Sequence, residues 1–230
     1  MAIQGKLVPQ DPNDEPASVL LEKITKEKQK LVKEGKIKKQ KPLPPIKDEE
    51  IPFDIPESWE WVRLGNVIDM LSGFAFKSQD FKKRGHYRLL RGINLGVNEI
   101  RWNETVYIDS ITDQISQYQI RKGDVLLGMD RPWINNGLRI CIYKGDTDTV
   151  LVQRVLRLRE NNAISKEYLT ISLTSSLFSK SVEANMTGIS VPHISQKQVE
   201  NVIIPLPPFA EQKRIVAKLD ELLPQIDCLK

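Results

Sequence analysis

Apolar residues between positions 87 and 207 fall into short runs that Gly, Asn and Asp separate. Runs rich in Ile, Val, Leu and Tyr and bounded by turn residues predict β-strands. The runs are YRLLRG, DVLLGMD, LRICIYKG, TVLVQRVLRLRE and NVIIPLP. In the fourth run Leu156 and Leu158 alternate with Val155, Arg157 and Arg159, which predicts one strand with a buried and an exposed face.

A helical period appears in SKEYLTISLTSSLFSKSVEAN, where Leu169, Leu173 and Leu177 fall four residues apart. No regular alternation of strand and helix supports a doubly wound parallel sheet. The pattern therefore predicts an α+β protein, with a curved mixed α/β domain over residues 51–208 and with Trp59 and Trp61 in its core.

Residues 1–50 are predicted to form an N-terminal helix and a proline-rich linker. Pro16 suits a helix start and Gly35 a helix end, and Leu20, Ile24 and Leu31 fall on one stripe between them. The following run, KIKKQKPLPPIKDEEIP, has three prolines in four positions among charged residues, which is typical of an extended linker.

Residues 209–230 predict a second helix. Pro205, Pro207 and Pro208 are expected to keep the preceding strand out of a sheet ladder, because proline cannot donate a backbone hydrogen bond. Glu211 falls in the first helical turn, where a negative charge is favourable.

The second helix carries an apolar seam with spacings of 4, 3 and 4 residues, as in a coiled coil of about two heptads. Its members are Ile215, Leu219, Leu222 and Ile226. Pro224 lies inside the seam and is expected to kink or end the helix. A helix this short is marginal in water, so the seam needs a partner. The predicted partner is the stripe of the N-terminal helix, from the same chain, a second copy, or both.

Cysteine content and hydropathy narrow the class of protein. Cys141 and Cys228 lie far apart, which provides no disulfide framework and suits a reducing cytosol. No apolar run approaches the roughly 20 residues of a membrane span, and the N-terminus lacks the order of a signal peptide. The sequence predicts a cytoplasmic protein with no membrane partner.

Positive charge is concentrated outside the predicted domain. Residues 22–41 hold nine Lys against three Glu, while residues 51–208 hold 19 Lys and Arg against 17 Asp and Glu. A nucleic-acid-binding role would therefore require a locally organised face. The basic run could contact DNA outside the recognised bases, dock an acidic partner, or keep the helix soluble, and we favour solubility.

The sequence shows few of the residue patterns that an enzyme active site requires. His86 and His193 are the two histidines, without Cys or paired carboxylates at ligand spacing, and no phosphate-binding glycine motif is present. Asp124 and Asp130 would suit a metal-dependent nuclease as an alternative, but no ExK follows, and turn or strand-end roles explain them more simply. We predict no catalytic residues, no metal and no cofactor.

Three polar loops, SGFAFKSQDFKKRGHY, MDRPWINNGLR and TGISVPHISQKQ, carry the residue types that bind DNA. Arg, Asn, Gln and Ser hydrogen-bond to base edges, and Lys and Arg hold phosphates. The predicted DNA-binding residues are Lys77, Ser78, Lys82, Lys83, Arg84, Tyr87, Arg91, Arg131, Trp133, Asn135, Asn136, Ser190 and His193. Ordinary surface roles stay open: the two asparagines precede Gly137 as in a turn, and Trp133 beside Pro132 is typical of packing.

The chain resembles the specificity subunits of type I restriction-modification systems. PLPPFAEQKRIVAKLDELLPQID is similar to the segment that ends a target recognition domain and begins a spacer helix in that family. DIPESWEWVRLGNV, SGFAFKSQDF, KGDVLLGMD, LVQRVLRL and SVPHISQKQVENVIIPLPP follow in the order of such a domain. AIQGKLVPQDPNDEPASVLLEKI is similar to sequence that follows a spacer helix.

The resemblance implies a non-catalytic subunit that reads a split DNA site through two recognition domains. Its spacer helices would dock methyltransferase subunits, which bind S-adenosylmethionine, while a separate motor-nuclease subunit cuts DNA. This chain has one recognition domain, so it is either half of a longer subunit or a half-subunit that pairs with a second copy. A homodimer would imply a palindromic split site. An interaction scaffold or regulatory half-subunit without DNA reading is the alternative.

Overall fold

The structure is a computed structural model that describes residues 1–35, 41–134, 137–145, 147–188 and 191–227, without the side chains of Leu31, Ile226 and Asp227. The α-helices are α1 (Ala17–Lys33), α2 (Leu64–Val67), α3 (Asp113–Ser116), α4 (Lys166–Thr174), α5 (Ser176–Asn185), α6 (Gln196–Asn201) and α7 (Phe209–Asp227). The strands are β1 (Glu60–Arg63), β2 (Ile68–Ser72), β3 (Tyr87–Leu90), β4 (Val106–Ile108), β5 (Gln119–Ile120), β6 (Val125–Gly128), β7 (Trp133–Ile134), β8 (Gly137–Leu138), β9 (Ile140–Ile142), β10 (Thr149–Leu151), β11 (Val155–Glu160) and β12 (Ile203–Leu206).

The strands form small sheets rather than one continuous sheet. Two sheets have four strands, in the orders β4-β3-β10-β5 and β2-β11-β6-β9, and β1 with β12 and β7 with β8 form two-stranded pairs. Strands β3 and β10 run parallel, whereas β6 pairs antiparallel with both β9 and β11. This mixture of helices and mixed sheets confirms the predicted α+β class.

The chain divides into two compact units, and each draws on separate stretches of sequence. Unit 1 comprises Met1–Ile68, Glu160–Phe178 and Glu200–Lys230, and unit 2 comprises Asp69–Arg159 and Ser179–Val199. The domain boundaries drawn at residues 51 and 208 from the sequence pattern stay a prediction.

In unit 1, helix α1 begins and ends where the sequence predicts. Pro16 is its N-cap, and Gly35 lies just beyond its end with a φ of 69°, a left-handed conformation that favours glycine. The helix buries Ala17 and Ile24, while Leu20 is half-buried. One apolar face of α1 is therefore covered within the unit.

The described part of the proline-rich linker is held by the buried side chain of Arg63. Its guanidinium donates to the carbonyl oxygens of Pro44 and Pro45, at 3.2 and 3.0 Å, and to both carboxylate oxygens of Glu50 at 2.7 Å. The hydrogen bonds from Arg63 and from the backbone N–H of Lys47 lower the pKa of Glu50 to about 2. Arg63 therefore holds the described part of the linker within unit 1, and the extended conformation of the linker stays a prediction.

The first turn of α7 contains a fully buried carboxylate, Glu211, which joins three separate segments. Its oxygens accept hydrogen bonds from Trp59 Nε1 at 2.8 Å and from Gln10 Nε2 at 2.6 Å. One turn later, Arg214 pairs with Asp14 at 2.6 Å. Helix α7 also packs on α4. The N-terminal segment is thus bonded directly to the start of α7.

Two sequence predictions about continuity were wrong. The run TVLVQRVLRLRE forms two strands in different sheets, because Arg154 adopts a left-handed φ of 76° and turns the chain between β10 and β11. The predicted single helix over residues 165–185 is two helices, since Ser175 has an extended backbone and its hydroxyl accepts from the backbone of Phe178 at 3.3 Å.

A third correction concerns Arg157 in β11, which was expected on an exposed face. Its side chain is buried, with an ion pair to Asp69 and a hydrogen bond to the carbonyl of Gln117 at 3.2 Å. Burial is compatible with the charge because these partners replace part of its hydration. Desolvation nevertheless lowers the pKa of Arg157.

Prolines also interrupt less than expected. Pro205 lies inside β12 opposite Trp61. Because β12 pairs with β1 on one side only in the described part of the chain, its other edge forms no ladder, and a proline without a backbone N–H is tolerated there. Helix α7 continues through Pro224 to Asp227, so this proline does not end it. Because proline lacks an N–H, Pro224 cannot bond the carbonyl one turn earlier, which is tolerable at an exposed position.

Unit 2 has its core between and beside its two four-stranded sheets. One apolar cluster comprises Leu90, Leu95, Ile120, Leu126, Cys141, Tyr143, Leu151 and Val155. A second comprises Leu89, Ile108, Val150 and Val152, with Phe76, Phe81 and Tyr87 packed against it. Burial raises the pKa of the Cys141 thiol to about 12, which keeps it protonated and unreactive. No described helix in either unit is long and apolar enough to cross a membrane.

Replacing Trp59 by Phe is expected to lower the free energy of unfolding by about 1–3 kcal/mol, because a buried carboxylate loses a donor. Burial raises the pKa of Glu211, whereas the hydrogen bond from Trp59 lowers it. A raised folded-state pKa means that the contribution of Glu211 to stability falls as pH rises from the usual glutamate range through that pKa. The loss in Trp59→Phe should therefore be larger at pH 8 than at pH 5, as measured by urea unfolding.

Trp61→Phe is the matched control, since Trp61 Nε1 is buried and has no hydrogen-bond partner among the described residues. This variant loses a similar ring area but no bond to a carboxylate. Equal losses in the two variants at both pH values would contradict the role of Glu211.

Candidate nucleic-acid interface

The candidate interface of unit 2 lies beyond the end of β6, where the chain continues into the second polar loop. Ile194 N donates to Met129 O at 2.9 Å, and Arg131 N donates to Pro192 O at 2.6 Å. Asp130 and His193 form an antiparallel bridge between these two bonds. The second and third polar loops identified in the sequence are therefore bonded side by side.

Arg139 attaches a further segment to the same place. Its guanidinium donates from Nη1 to Asp130 O at 2.8 Å, from Nε to Leu95 O at 2.9 Å, and from Nη2 to Gly92 O. Partial burial lowers the pKa of Arg139. Arg139 lies in the second polar loop but is not among the predicted DNA-binding residues, and its three carbonyl contacts hold the 92–95 turn against the 130–131 segment.

The 92–95 turn is also held from within. Gly92–Asn94 is a single 3-10 turn, and Asn94 is buried. The Asn94 side chain accepts from Arg91 N at 3.0 Å and donates to Arg101 O at 2.9 Å. Within the turn, the exposed side chain is that of Ile93.

A cluster of charges surrounds Asp130. Arg154 Nε lies 3.6 Å from its carboxylate, and Arg131 follows it in the chain. Arg131 and Arg154 both have left-handed φ values, 44° and 76°, and both are exposed. A positive φ in a residue other than Gly, Asn or Asp is uncommon, and here two arginines adopt it beside one carboxylate.

The first polar loop carries the predicted phosphate-binding residues. Lys77, Ser78, Lys83 and Arg84 are exposed, whereas Lys82 forms an ion pair with Asp109. This loop, which includes Phe74 and Phe76, lines a cavity of about 510 Å³ together with residues such as Ile108 and Ile115. The exposed cations on this loop suit phosphate contacts better than Lys82, whose charge is compensated.

Arg91 connects the first loop to the 92–95 turn. Its guanidinium lies 5.8 Å from the centre of the Phe81 ring and donates to the carbonyl of Glu104. These contacts occupy the side chain within the fold, so base reading by Arg91 would require it to exchange them. Its base-reading role stays a prediction.

The remaining predicted residues are distributed along the same segments. Trp133 is half-buried in β7, which pairs with β8, and Tyr87 packs on the core from β3. The ring of His193 contacts the hydroxyl of Thr187 at 3.1 Å. Asn135, Asn136 and Ser190 lie outside the described residues.

Sequence reasoning missed two exposed side chains at this interface, Arg154 and Ile93. Arg154 sits inside a run that looks like continuous strand, so no local signal marks its turn. Ile93 lies between two glycines in RGINLG, and that flanking was the available sign of an exposed turn.

The nuclease alternative does not fit the geometry. Asp124 precedes β6 and Asp130 follows it, so a rise of about 3.3 Å per residue places the two roughly 20 Å apart. Asp124 is buried and accepts two 2.6 Å hydrogen bonds from Arg159. Within the described residues no group of three or more His, Cys, Asp or Glu side chains is arranged to hold a metal ion.

Loops from separate segments thus join at one place in unit 2 and expose cations there, an arrangement that suits the binding of an anionic partner. The family model for the type I restriction modification DNA specificity domain matches residues 56–230. The chain therefore belongs to this family, as its resemblance implied.

Two curated relatives match the whole length of this chain. The chain is 49% identical over 234 residues to the specificity subunit of the type I restriction enzyme EcoAI and 34% identical over 236 residues to that of EcoEI, both from Escherichia coli. Both matches cover 100% of this chain but only 39% and 40% of those subunits.

Solved structures share the fold. The HsdS subunit from Thermoanaerobacter tengcongensis matches with a TM-score of 0.54 at 22% identity, covering 93% of this chain and 50% of that chain. A chain from a structural study of complex assembly in the type I R-M system matches with a TM-score of 0.56 at 22% identity, covering 93% and 51%.

Arg139→Lys is expected to lower the free energy of unfolding by about 1–3 kcal/mol, because the three carbonyls are bonded by three different nitrogens of the planar guanidinium and a lysine has one compact ammonium nitrogen to replace them. Amide exchange at Asn94 and Leu95 should become faster, since both amides bond within the turn that Arg139 holds. Arg101→Lys is the control, because Arg101 makes an exposed pair with Glu99. Unchanged exchange at Asn94 in Arg139→Lys would show that the turn stands without the guanidinium.

Proposed function

We propose that this chain provides one of the two DNA-recognition halves of a type I specificity subunit, and that it reads one part of a split site in double-stranded DNA. The observation that carries the proposal is the joining of the second polar loop, the third polar loop and the 92–95 turn around Asp130 and Arg139, in a chain of this family. The exposed side chains there, including Arg131, can reach base edges, while Lys83 and Arg84 suit phosphates. This frame, the 92–95 turn and residues 129–131 and 192–194, is held by backbone bonds and by the side chains of Arg139 and Asn94, so the exposed side chains on it can vary.

The proposal assigns catalysis to other subunits. A methyltransferase subunit would bind S-adenosylmethionine and modify adenine, a motor-nuclease subunit would cut DNA, and this chain would bring no cofactor of its own. Because the target is the cell's own DNA, the proposal places the chain in the cytoplasm.

Helix α7 supports the proposed docking and pairing role. Ile215 is fully buried within unit 1, where α7 packs on α4, so it is not available to a second chain. Farther along, Leu219 and Leu222 are half-buried and Leu223 is 52% exposed. We therefore assign packing against a spacer helix, of this chain or a second copy, to the later part of the seam.

Co-expression with the methyltransferase subunit of its own system is the direct test of the proposed function. Methylated adenines mapped across the host genome should define a new split motif, palindromic if two copies pair. A complex that forms without new methylation would contradict the proposal and favour an interaction scaffold or regulatory half-subunit.

Arg131→Ala and Lys83→Ala are expected to weaken DNA binding in different ways. Loss of a base contact at Arg131 should cost about 1–3 kcal/mol and relax preference at one base position. Loss of a phosphate contact at Lys83 should weaken binding to all sequences and reduce the slope of log K against log salt by about 1. Competition binding with the methyltransferase complex at several salt concentrations separates the two effects.

The same experiment can fail in an informative way. Uniform weakening of all sequences by Arg131→Ala would mark Arg131 as a phosphate contact and remove it from base reading. A change of base preference in Lys83→Ala would do the reverse.

A further inference from the structure

Unit 2 exposes two large aliphatic side chains among its described residues, Ile93 at 57% and Val191 at 43%. Both belong to segments that bond to residues 130–131, because Arg139 joins Gly92 to Asp130 and Pro192 accepts from Arg131. Exposed aliphatic side chains are common when scattered. Their placement in two of the segments that build one proposed DNA-reading surface is what requires an explanation.

The turn that carries Ile93 is fixed more firmly than an ordinary surface turn. Asn94 is 1% exposed and bonds to the backbone on both sides of the turn, while Arg139 binds the carbonyls of Gly92 and Leu95. The side chains of Asn94 and Arg139 thus both hold the three-residue turn Gly92–Asn94. Within that turn, Ile93 alone has an exposed side chain. Because these bonds already fix the backbone of the turn, little backbone conformational entropy would be lost on binding, so this turn suits recognition.

The position of Ile93 relates it to the exposed arginine. The carbonyls of Gly92 and Asp130 accept from one guanidinium, so the turn and the residue after Asp130, Arg131, are neighbours. A cation beside an aliphatic group suits the surface of DNA in two ways. The cation can pair with a phosphate, and the aliphatic group can pack on the C5-methyl of thymine, which is an apolar feature of the major groove.

Resting on the proposed function, we propose that Ile93 is a specificity-determining residue that packs on the C5-methyl group of one thymine. An isoleucine has no hydrogen-bonding atom in its side chain, so it cannot distinguish bases by their donors and acceptors. It gains from burying a methyl group, and replacement of thymine by uracil removes that group while leaving every hydrogen-bonding atom of the base in place.

The test uses the chain in complex with its methyltransferase subunit and duplexes that carry the mapped site. Each thymine of the half-site is replaced in turn by deoxyuridine, and dissociation constants are measured by fluorescence anisotropy. At one position the wild-type protein should bind the deoxyuridine duplex about fourfold more weakly than the thymine duplex, which is the effect of one buried methyl group. Ile93→Ala should bind the thymine duplex about as weakly and show no further loss with deoxyuridine at that position.

Ile51→Ala is the matched control, since Ile51 is also exposed, at 38%, but belongs to unit 1. It should keep the thymine preference of the unmodified protein. A structural effect of Ile93→Ala would weaken all duplexes equally and preserve the ratio between thymine and deoxyuridine, which would overturn the inference. Indifference of the unmodified protein to deoxyuridine at every position would also overturn it.

Failure of the proposed function has a different signature. In that case the wild-type complex shows no preference for any site, whether the duplex carries thymine or deoxyuridine, and both proposals are wrong. Directed methylation that persists without methyl discrimination overturns only the role of Ile93.

Discussion

The contact on which the candidate interface depends is the guanidinium of Arg139 with three backbone carbonyls. Gly92 and Leu95 come from one segment and Asp130 from another, so one side chain joins two separate segments of unit 2. Burial disfavours the charge, as the lowered pKa indicates, but five fixed donors let one arginine satisfy acceptors that water would otherwise occupy. Because the carbonyls belong to the backbone, this frame does not depend on which side chains the segments expose.

Unit 1 uses buried charges in a similar way, at longer range in the sequence. Glu211 bonds to Gln10 and Trp59, which lie 201 and 152 residues away along the chain. Strands β1 and β12 form only a two-stranded pair, which is marginal by itself. A buried carboxylate left without donors would be strongly destabilising, so Glu211 favours the arrangement in which the N-terminal segment, β1 and α7 meet. Arg63 fixes the linker by the same principle, with carbonyls and Glu50 as acceptors.

The fold was predictable where the signal is local. The apolar runs at 87–90, 125–128 and 140–142 form strands, and Pro16 and Gly35 mark the limits of α1, because side-chain period and backbone preference act over a few residues. The burial of Arg157 depends on Asp69, 88 residues earlier, and the turn at Arg154 is imposed by pairing in two different sheets. Neither influence is visible in the runs themselves.

The site was predictable only at the level of loops. Arg, Lys, Asn and His in Gly-bounded segments indicated surface recognition, but which arginine holds the frame and which faces solvent is decided by tertiary contacts. Arg91 and Arg139 have carbonyl partners, whereas Arg131 is exposed, and the sequence presents all three alike. Ile93 was overlooked for the opposite reason, since an apolar residue between glycines has no chemistry that suggests a binding role until its turn is seen to be rigid.

The distribution of charge also bears on how such a module would act. Residues 51–208 carry a small excess of positive charge, and the ion pair of Lys82 with Asp109 reduces the number of cations left for phosphates. Each phosphate neutralised contributes to affinity through counterion release, so pairing Lys82 with Asp109 lowers the part of DNA binding that is independent of sequence. On the proposed function, preference for one DNA sequence would then depend on side chains that reach base edges, such as Arg131, more than on the total charge of the chain.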